Sequence, residues 1–368
     1  MPISENNRNK MMISKDKILK LIEKMLGTIS HIKPSFKEEC PIGIVDFEKW
    51  EWTQGVGLYT LWQYYKMSGD AAAKARIEKW FEDRFREGLP EKNVNTMCPM
   101  LTLVCLYEET GSKKYLPYLD EWADFALHDM TRTAEGGIQH KCSGCENREQ
   151  LWDDTLYMTV MFMAKYGTIF AKKEFAEESE YQFLLHIKYL TDRNSALWYH
   201  GWSFERGDHF AGALWARGNS WITACVPDYL EFAEISPVGK RMILETYRRQ
   251  VETLVQLQDE SGLWHTLLDD AASYTESSAS ANFAYGILKG IRLGLLDSSY
   301  EKYADRAVEA LVGCVDEKGA VGKCSYGTGM GDTLEFYKNI PIVPMPYGQT
   351  LTILAFMEYL KHNKEERL

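Results

Sequence analysis

Apolar positions recur with helical spacing along nearly the whole chain. The first clear stripe begins at Ile18 and ends at Ile29. A stripe with a period near 3.6 residues marks one face of an amphipathic helix. Similar helices with one charged face are predicted at 70–87, 113–130, 174–191, 239–258 and 299–313. Alternating strand patterns do not stand out, and only short β pieces are expected, near 136–140 and 262–267.

A second set of segments has few charges and many small or aromatic residues, which is typical of buried helices. These segments are 52–65, 95–107, 151–166, 216–232, 275–294 and 345–360. Six charged helices thus alternate with six buried ones, at a spacing too irregular for a tetratricopeptide or ankyrin array. One buried layer of six helices predicts an all-α fold closed into a ring, an (α/α)6 barrel or six-hairpin toroid. An open solenoid is the alternative. The predicted domains are a flexible tail at 1–13 and a single barrel at 14–368.

Composition narrows the class of protein. The chain has 368 residues and a formal net charge of −11, with 42 Lys+Arg against 53 Asp+Glu. That balance argues against a nucleic-acid partner, because binding needs a basic surface. The longest apolar run, 156–164, is about half of the roughly 20 residues that span a bilayer, so no membrane partner is expected. Eight cysteines without a signal peptide are typical of reduced thiols in a cytoplasmic protein.

Polar and aromatic clusters stand at the start of each buried segment. They are WEWTQG (50–55), NVNT (93–96), LWDDT (151–155), WARGNSW (215–221), YTESSAS (274–280) and PYGQT (346–350). In a closed ring the inner helices run the same way, so these clusters meet at one end and form a pocket. Helix N-termini there favour an anionic ligand. Thr96 and Ser278 are equally explained as helix caps.

Asp153 and Asp154 precede an otherwise apolar helix and are the leading catalytic candidates. Neighbouring helical positions point roughly 100° apart, so we expect one carboxyl to face the cavity beside Trp152 and the other to point elsewhere. A carboxyl against an indole has a raised pKa and serves as a general acid. The alternative is that both are helix-start charges. The candidates for a second carboxylate across a glycosidic bond are Glu51, Asp208, Asp269, Asp270 and Glu276.

Arg217 is a candidate clamp for a substrate carboxylate, and an ion pair with Asp208 is its alternative. His200 and His265 are more simply explained as satisfied polar groups. The spacing of His140, Cys142 and Cys145 is a weak zinc motif. The glycines at 327–332 do not follow a strand, which argues against a dinucleotide site. No metal or other cofactor is expected.

The motif blocks resemble a known family. WEWTQGVGLYTL, LWDDTLYMTVMFMAKYG, LWARGNSWITA, SYTESSASANFAYGI and GTGMGDTLEFY follow the order found in the unsaturated rhamnogalacturonyl hydrolases of glycoside hydrolase family 105. The resemblance implies an (α/α)6 barrel and a cytoplasmic role in pectin degradation. Such enzymes remove a 4,5-unsaturated uronic acid from the non-reducing end of lyase-generated oligosaccharides. The reaction hydrates the vinyl ether: one Asp protonates C4 and activates the water that adds at C5.

By motif position, the resemblance implies that Asp154 is the catalytic acid/base and that Asp153 is an additional acidic neighbour. The implied substrate-binding residues are Asn95, His140, Lys141, Trp152, His200, Arg217 and Trp221. The expected partner is a small anionic oligosaccharide such as unsaturated galacturonyl-rhamnose, bound by a monomer or weak homo-oligomer. The alternatives are an unsaturated glucuronyl hydrolase, a sugar 2-epimerase using His200 and His265, and a non-catalytic scaffold.

Overall fold

Helices account for most of the secondary structure of the protein, a computed structural model that describes residues 13–32 and 46–365. Residues 1–12 of the expected flexible tail lie outside the described residues. The helices are α1 (Lys15–Thr28), α2 (Trp52–Ser68), α3 (Ala71–Glu87), α4 (Cys98–Thr110), α5 (Leu116–Asp124), α6 (Met161–Ile169), α7 (Lys173–Leu190), α8 (Ala216–Phe232), α9 (Pro237–Gln256), α10 (Ser277–Arg292), α11 (Glu301–Cys314), α12 (Leu334–Lys338) and α13 (Pro346–Glu365). A π-helical turn, Leu156–Val160, leads into α6, and another, Phe125–Asp129, follows α5.

The inner helices form a closed ring in the order α2, α4, α6, α8, α10 and α13, and α13 packs back against α2. The Thr60 hydroxyl of α2 donates to the Thr350 carbonyl of α13 at 3.3 Å, which joins the two ends of the ring. Helices α1, α3, α5, α7, α9 and α11 pack outside it. The predicted (α/α)6 barrel is therefore confirmed, and the open-solenoid alternative is wrong.

The two helix layers differ in burial as their sequences predict. The outer helix α11 buries only one stripe, which contains Ala304, Ala307, Val308 and Leu311. The inner helix α10 is buried over most of its length. Small residues let the inner helices approach closely: a Cβ added at Gly286 of α10 would lie 2.1 Å from the Thr223 carbonyl oxygen of α8. A larger side chain at that position would push the two helices apart.

Two short antiparallel strand pairs lie at the end of the ring where the inner helices begin. Strand β1 (Gln150–Trp152) pairs with β2 (Gly201–Ser203), and β3 (Trp264–His265) pairs with β4 (Thr275–Glu276). The β piece expected at 262–267 is thus confirmed. The one expected at 136–140 is reduced to an isolated bridge between Arg132 and Ile138. Strand β1 also corrects the prediction that the buried helix starts at residue 151.

None of the helices in the described ranges combines the length and the apolar character that crossing a bilayer requires.

Candidate active site

The starts of the inner helices surround a pocket at one end of the ring. It encloses about 410 Å³ of space free of protein atoms, part of it open to solvent. The lining residues are Trp52, Asn95, His140, Cys142, Trp152, Asp154, Met158, Trp215, Arg217, Trp221 and Thr328. Four of the six predicted clusters, those at 50–55, 93–96, 151–155 and 215–221, supply lining residues, whereas the clusters at 274–280 and 346–350 do not.

Asp154 lines this pocket, and the carboxyl of Asp153 lies close to that of Asp154. An oxygen of each carboxyl and a ring nitrogen of His200 lie within 4.8 Å of one another. The expectation that the two carboxyls point apart is wrong. It assumed a helical backbone, but Asp153 follows β1 in a turn, where its N–H donates to the His200 carbonyl at 3.0 Å. The roughly 100° rotation between helical neighbours therefore does not apply to this pair.

The start of α8 packs directly against the Asp153 carboxyl. A Cβ added at Gly218 would lie 2.2 Å from Asp153 Oδ2. Glycine at this position lets the backbone of α8 approach the carboxyl, and any side chain would displace it. Asp153 is fully buried as a result. The WARGNSW cluster therefore supplies one wall of the carboxyl pair, in addition to the aromatic rings that line the pocket.

Burial governs the protonation of this pair. Burial raises the pKa of Asp154, and the interaction with Asp153 and the charge of Arg217 offset that rise only in part. Burial raises the pKa of Asp153 still further, and the negative charge of Asp154 adds to that rise. No ion pair within residues 13–32 and 46–365 includes either carboxyl. The raised pKa values of the two neighbouring carboxyls favour a proton shared between them, because ionisation of one opposes ionisation of the other.

His200 lies behind the pocket wall, between the rings of Trp152 and Trp215. Its Nδ1 is 2.7 Å from the Tyr337 hydroxyl, which already accepts a hydrogen bond from the Gly331 N–H. The same hydroxyl also donates to Met330 Sδ at 3.5 Å, so the direction of its bond with Nδ1 depends on the His200 tautomer. Burial lowers the pKa of His200 well below its usual value, so the ring is neutral. Among the described residues Nε2 makes no hydrogen bond, although a ring nitrogen of His200 and an oxygen of each carboxyl lie within 4.8 Å of one another.

His140 is a structural support for Trp152. Its ring stacks on the indole at 4.2 Å with an interplanar angle of 7°, and its Nδ1 is 2.9 Å from the Thr155 hydroxyl. Burial lowers the pKa of His140 to about 3, so it is neutral at physiological pH. The two rings together present a flat wall beside Asp154. Flat aromatic walls are suited to the apolar face of a sugar ring.

Arg217 is held by the chain rather than left free for a bidentate clamp. Its Nη1 donates to the Ser325 carbonyl at 2.9 Å, and its Nη2 donates to the Tyr326 carbonyl at 2.8 Å. The guanidinium also lies over the ring of Trp215 at 4.6 Å. The alternative ion pair with Asp208 is wrong as well, because Asp208 pairs with Arg206. Arg217 therefore contributes its positive charge to the pocket while it anchors the segment that carries Ser325.

Six of the predicted site residues line the pocket: Asn95, His140, Trp152, Asp154, Arg217 and Trp221. His200 is in contact with the lining, but Lys141 is outside it. The Lys141 ammonium pairs with Glu91 and Glu146, both at 3.0 Å. The prediction omitted Trp52, Cys142, Met158, Trp215 and Thr328. Trp52 and Trp215 belong to the clusters at the helix starts, so that pattern was a usable signal for them.

The candidates for a second carboxylate do not line the pocket. Glu276 caps α10 and accepts from the N–H groups of Ser278 and Ala279, and Glu51 caps α2 in the same way. Asp270 pairs with Lys338, and Asp208 pairs with Arg206. Asp269 is likewise absent from the lining. The pocket therefore offers the carboxyl pair of Asp153 and Asp154 for acid/base chemistry, and Asp154 is its lining member.

The weak zinc motif does not gather into a chelate. Within the described residues, the one group of three potential metal ligands at close range is Asp153, Asp154 and His200, and it includes neither Cys142 nor Cys145. His140 uses its ring to stack on Trp152, so it does not complete a three-ligand site with the two thiols.

A closed ring of six helical hairpins with an acid in an aromatic pocket is compatible with a glycoside hydrolase, and comparison with known proteins identifies the class. The family model described as Glycosyl Hydrolase Family 88 matches residues 21–363. The chain belongs to this family and is a glycoside hydrolase.

The chain is 33% identical over 318 residues to the unsaturated rhamnogalacturonyl hydrolase YesR of Bacillus subtilis (strain 168), covering 86% of this chain and 91% of that one. A possible family 105 member from Salmonella enterica serovar Paratyphi A has a similar structure, with a TM-score of 0.93, 42% identity and 99% coverage of both chains. The unsaturated glucuronyl hydrolase of Bacillus sp. GL1 has a TM-score of 0.72 at 18% identity, covering 94% of this chain and 95% of that one; this likeness shows the fold alone. The resemblance inferred from the motifs is confirmed.

Proposed function

We propose that this glycoside hydrolase removes the 4,5-unsaturated uronic acid from unsaturated galacturonyl-rhamnose and related fragments that lyases release from rhamnogalacturonan. The observation that carries the proposal is the Asp154 carboxyl, which is poorly solvated, unpaired by any cation and placed at the wall of an aromatic pocket. Vinyl-ether hydration needs one such group, whereas ordinary glycoside hydrolysis needs two carboxyls that flank the bond. The similarity to YesR supports this substrate class.

In the proposed reaction, Asp154 first acts as an acid. Its proton passes to C4 of the unsaturated uronate, and the ring oxygen stabilises the positive charge that develops at C5. The Asp154 carboxylate then takes a proton from a water molecule as that water adds to C5. The resulting hemiketal opens and releases the second sugar. Asp154 ends the cycle protonated, so a single carboxyl serves as both acid and base.

We assign Asp153 the role of holding the shared proton next to Asp154, from which the proton passes to Asp154 for the reaction. The two buried carboxyls share one proton, since loss of the last proton would leave two negative charges side by side. The ring of His200 lies beside the pair, and we propose that it helps to hold the remaining charge. Asp153 acts through Asp154 rather than on the substrate, and is therefore a positioning residue.

The uronate carboxylate is proposed to bind near Arg217. Arg217 brings a positive charge to the pocket wall, and α2 and α8 direct their N-terminal ends towards it. The proposed binding residues are Asn95, His140, Trp152, Arg217 and Trp221, with His200 acting from behind the wall. Lys141 is left out because its ammonium is held by Glu91 and Glu146.

Residues 14–368 are proposed to act as one cytoplasmic catalytic domain, a monomer or weak homo-oligomer, as the family resemblance implies. The amide of Gln349 in α13 donates to the Met25 carbonyl and the Thr28 hydroxyl of α1. These bonds attach the first helix to the ring and support a single unit.

The test is the ultraviolet absorbance of the conjugated double bond in the unsaturated galacturonyl-rhamnose disaccharide. Loss of absorbance with release of free rhamnose supports the proposal, provided that Asp154→Asn is inactive. Loss only with unsaturated glucuronyl disaccharides would favour the alternative hydrolase. No loss with either would overturn the proposal. The epimerase alternative relied on His200 and His265, but His265 does not line the pocket and instead bonds to the Ser273 carbonyl and Asp259.

A further inference from the structure

Cys142 and Cys145 belong to a tight turn at the edge of the pocket. Their backbones exchange two hydrogen bonds, Cys142 N–H to the Cys145 carbonyl and the reverse, both at 3.0 Å. Gly144 between them has a φ of 81°, a left-handed conformation that closes such a turn and favours glycine. The motif is left unexplained by the proposed hydrolysis and by the zinc hypothesis.

The geometry of this turn is suited to a disulfide. Residues that exchange both backbone hydrogen bonds have Cα atoms about 5.5 Å apart. Disulfides form between residues whose Cα atoms are roughly 4.4–6.8 Å apart. The two thiols already interact with each other, and the Asn147 side-chain amide donates to Cys142 Sγ at 3.6 Å. Both cysteines are free thiols in this structure.

The two thiols differ in environment. Cys145 is exposed, whereas Cys142 is buried. Burial raises the pKa of the Cys142 thiol to about 12, and the neighbouring Cys145 adds to that rise. Cys145 is thus the thiol that an oxidant in solution can reach, and Cys142 is the second thiol that resolves the product.

Oxidation here would act on the pocket itself. Cys142 lines the pocket beside Trp152 and also a second cavity next to it, which Cys145 lines as well. Ser143, between the cysteines, donates to the side chain of Glu51, the residue that caps α2 just before Trp52. A change in the turn therefore reaches the pocket wall both through Cys142 and through the start of α2.

We propose that Cys142 and Cys145 form a reversible disulfide with hydroperoxides as the oxidant, and that this disulfide weakens substrate binding. The Cys145 thiolate attacks the peroxide, which yields a sulfenic acid and one molecule of water or alcohol. The Cys142 thiol then attacks that sulfur, the S–S bond forms and a second water leaves. The two thiols lose two electrons and two protons, and the peroxide accepts both.

The chain offers a direct readout that does not depend on activity. Trypsin cleaves after Lys141 and Arg148, so both cysteines lie in the single peptide CSGCENR. The full-length protein is reduced, freed of reductant, treated with hydrogen peroxide in the presence of a chelator, alkylated and digested. The expected peptide is lighter than the reduced, unalkylated form by two hydrogens and carries no alkyl group. Dithiothreitol should restore two alkylatable thiols. Two free thiols, or a sulfinic acid, at excess peroxide would overturn the proposal.

Kinetics test the link to the pocket, and this part rests on the proposed function. We expect oxidation to raise KM about tenfold, below the roughly hundredfold that a misplacement of about 1 Å can cost. In Cys145→Ser the ratio of oxidised to reduced KM should be close to one. Cys314→Ser, outside the pocket, should keep the wild-type ratio. A disulfide that forms without changing KM would overturn the link. Failure of the substrate itself would leave the peptide result unaffected, so the two failures are distinguishable.

Discussion

Carboxyls with little solvent contact occur at both ends of the inner helices. They differ in whether a cationic side chain forms an ion pair with them. At the starts of the helices, Asp153 is fully buried and Asp154 is partly buried, and neither forms an ion pair among the described residues. Near the ends of α8 and α10, Asp228 accepts from the Tyr285 hydroxyl at 2.9 Å and pairs with the Lys289 ammonium. Nearby, Glu358 of α13 pairs with Arg292 of α10.

This comparison shows that burial alone does not make a carboxyl catalytic. Burial raises the pKa of Asp228, but Lys289 opposes that rise and neutralises the charge. The pair ties α8 to α10, so its role is structural. Asp153 and Asp154 have no such partner and must keep a proton, which is the state that a general acid requires. The presence or absence of a cation separates the two roles.

The largest expected effect is the loss of the acid. Asp154→Asn should lower kcat/KM by about 10²–10⁴, the usual contribution of a general acid/base, because the amide cannot deliver a proton. The midpoint of thermal unfolding should not fall. Asp124→Asn, at an exposed carboxyl, is the matched control and should keep full activity. Substantial activity in Asp154→Asn would remove Asp154 from the mechanism.

The next largest effect is expected at the opposite end of the inner helices, where Lys289 pairs with Asp228. Lys289→Met should lower the free energy of unfolding by about 3–5 kcal/mol, because it leaves Asp228 buried without its cation. Below the unfolding transition, kcat/KM should stay close to the wild-type value. Denaturant unfolding followed by fluorescence measures the difference.

A double variant sharpens this prediction. Adding Asp228→Asn to Lys289→Met should recover much of the lost stability, since the buried charge is then gone. If the single and double variants were equally stable, the ion pair would not be the origin of the effect.

Removing the second carboxyl should change the pH profile of the enzyme. Wild-type activity falls as pH rises through the raised pKa of the pair, where the last proton is lost. In Asp153→Asn no second carboxylate charge opposes ionisation of Asp154. The decline in activity at high pH should therefore move to lower pH. At pH values above the decline, the rate should fall about tenfold for every pH unit by which the decline moves. An unchanged profile would contradict the shared proton.

The same variant should change how stability depends on pH. In the wild type the folded protein keeps a proton that the unfolded chain releases above about pH 4. Its free energy of unfolding therefore falls as pH rises through the window between the unfolded pKa and the raised folded pKa. Asp153→Asn should show a flatter dependence over this window. Thermal unfolding at a series of pH values measures both slopes.

The smallest effect concerns the support of His200. Tyr337→Phe removes the hydroxyl that is 2.7 Å from His200 Nδ1. The loss of one such bond costs about 0.5–1.5 kcal/mol, so kcat should fall roughly threefold to tenfold. KM should change little because Tyr337 does not line the pocket. Tyr300→Phe, on the outer side of the ring, is the control and should leave kcat unchanged.

The fold was predictable because its signals are local. Helices with one charged face and helices buried on all sides differ in the residues of each turn, so the sequence distinguishes them. Six helices of each kind in alternation predict a closed ring. The clusters at the helix starts could be located for the same reason. The ion pair of Lys141 with Glu91 could not be predicted, because Glu91 is distant in sequence. The contacts of Arg217 with Ser325 and Tyr326 could not be predicted either, because these partners lie more than 100 residues away.

The sequence by itself determined the helices, their two layers, the end of the ring that carries the pocket and the carboxyl that lines it. Only the tertiary structure decided which way Asp153 points, since pairing between β1 and β2 takes that residue out of the helical register. It also decided that neither carboxyl meets a cation, whereas Asp228 does. Local patterns report the backbone around a residue, but protonation depends on what burial brings next to it from distant parts of the chain.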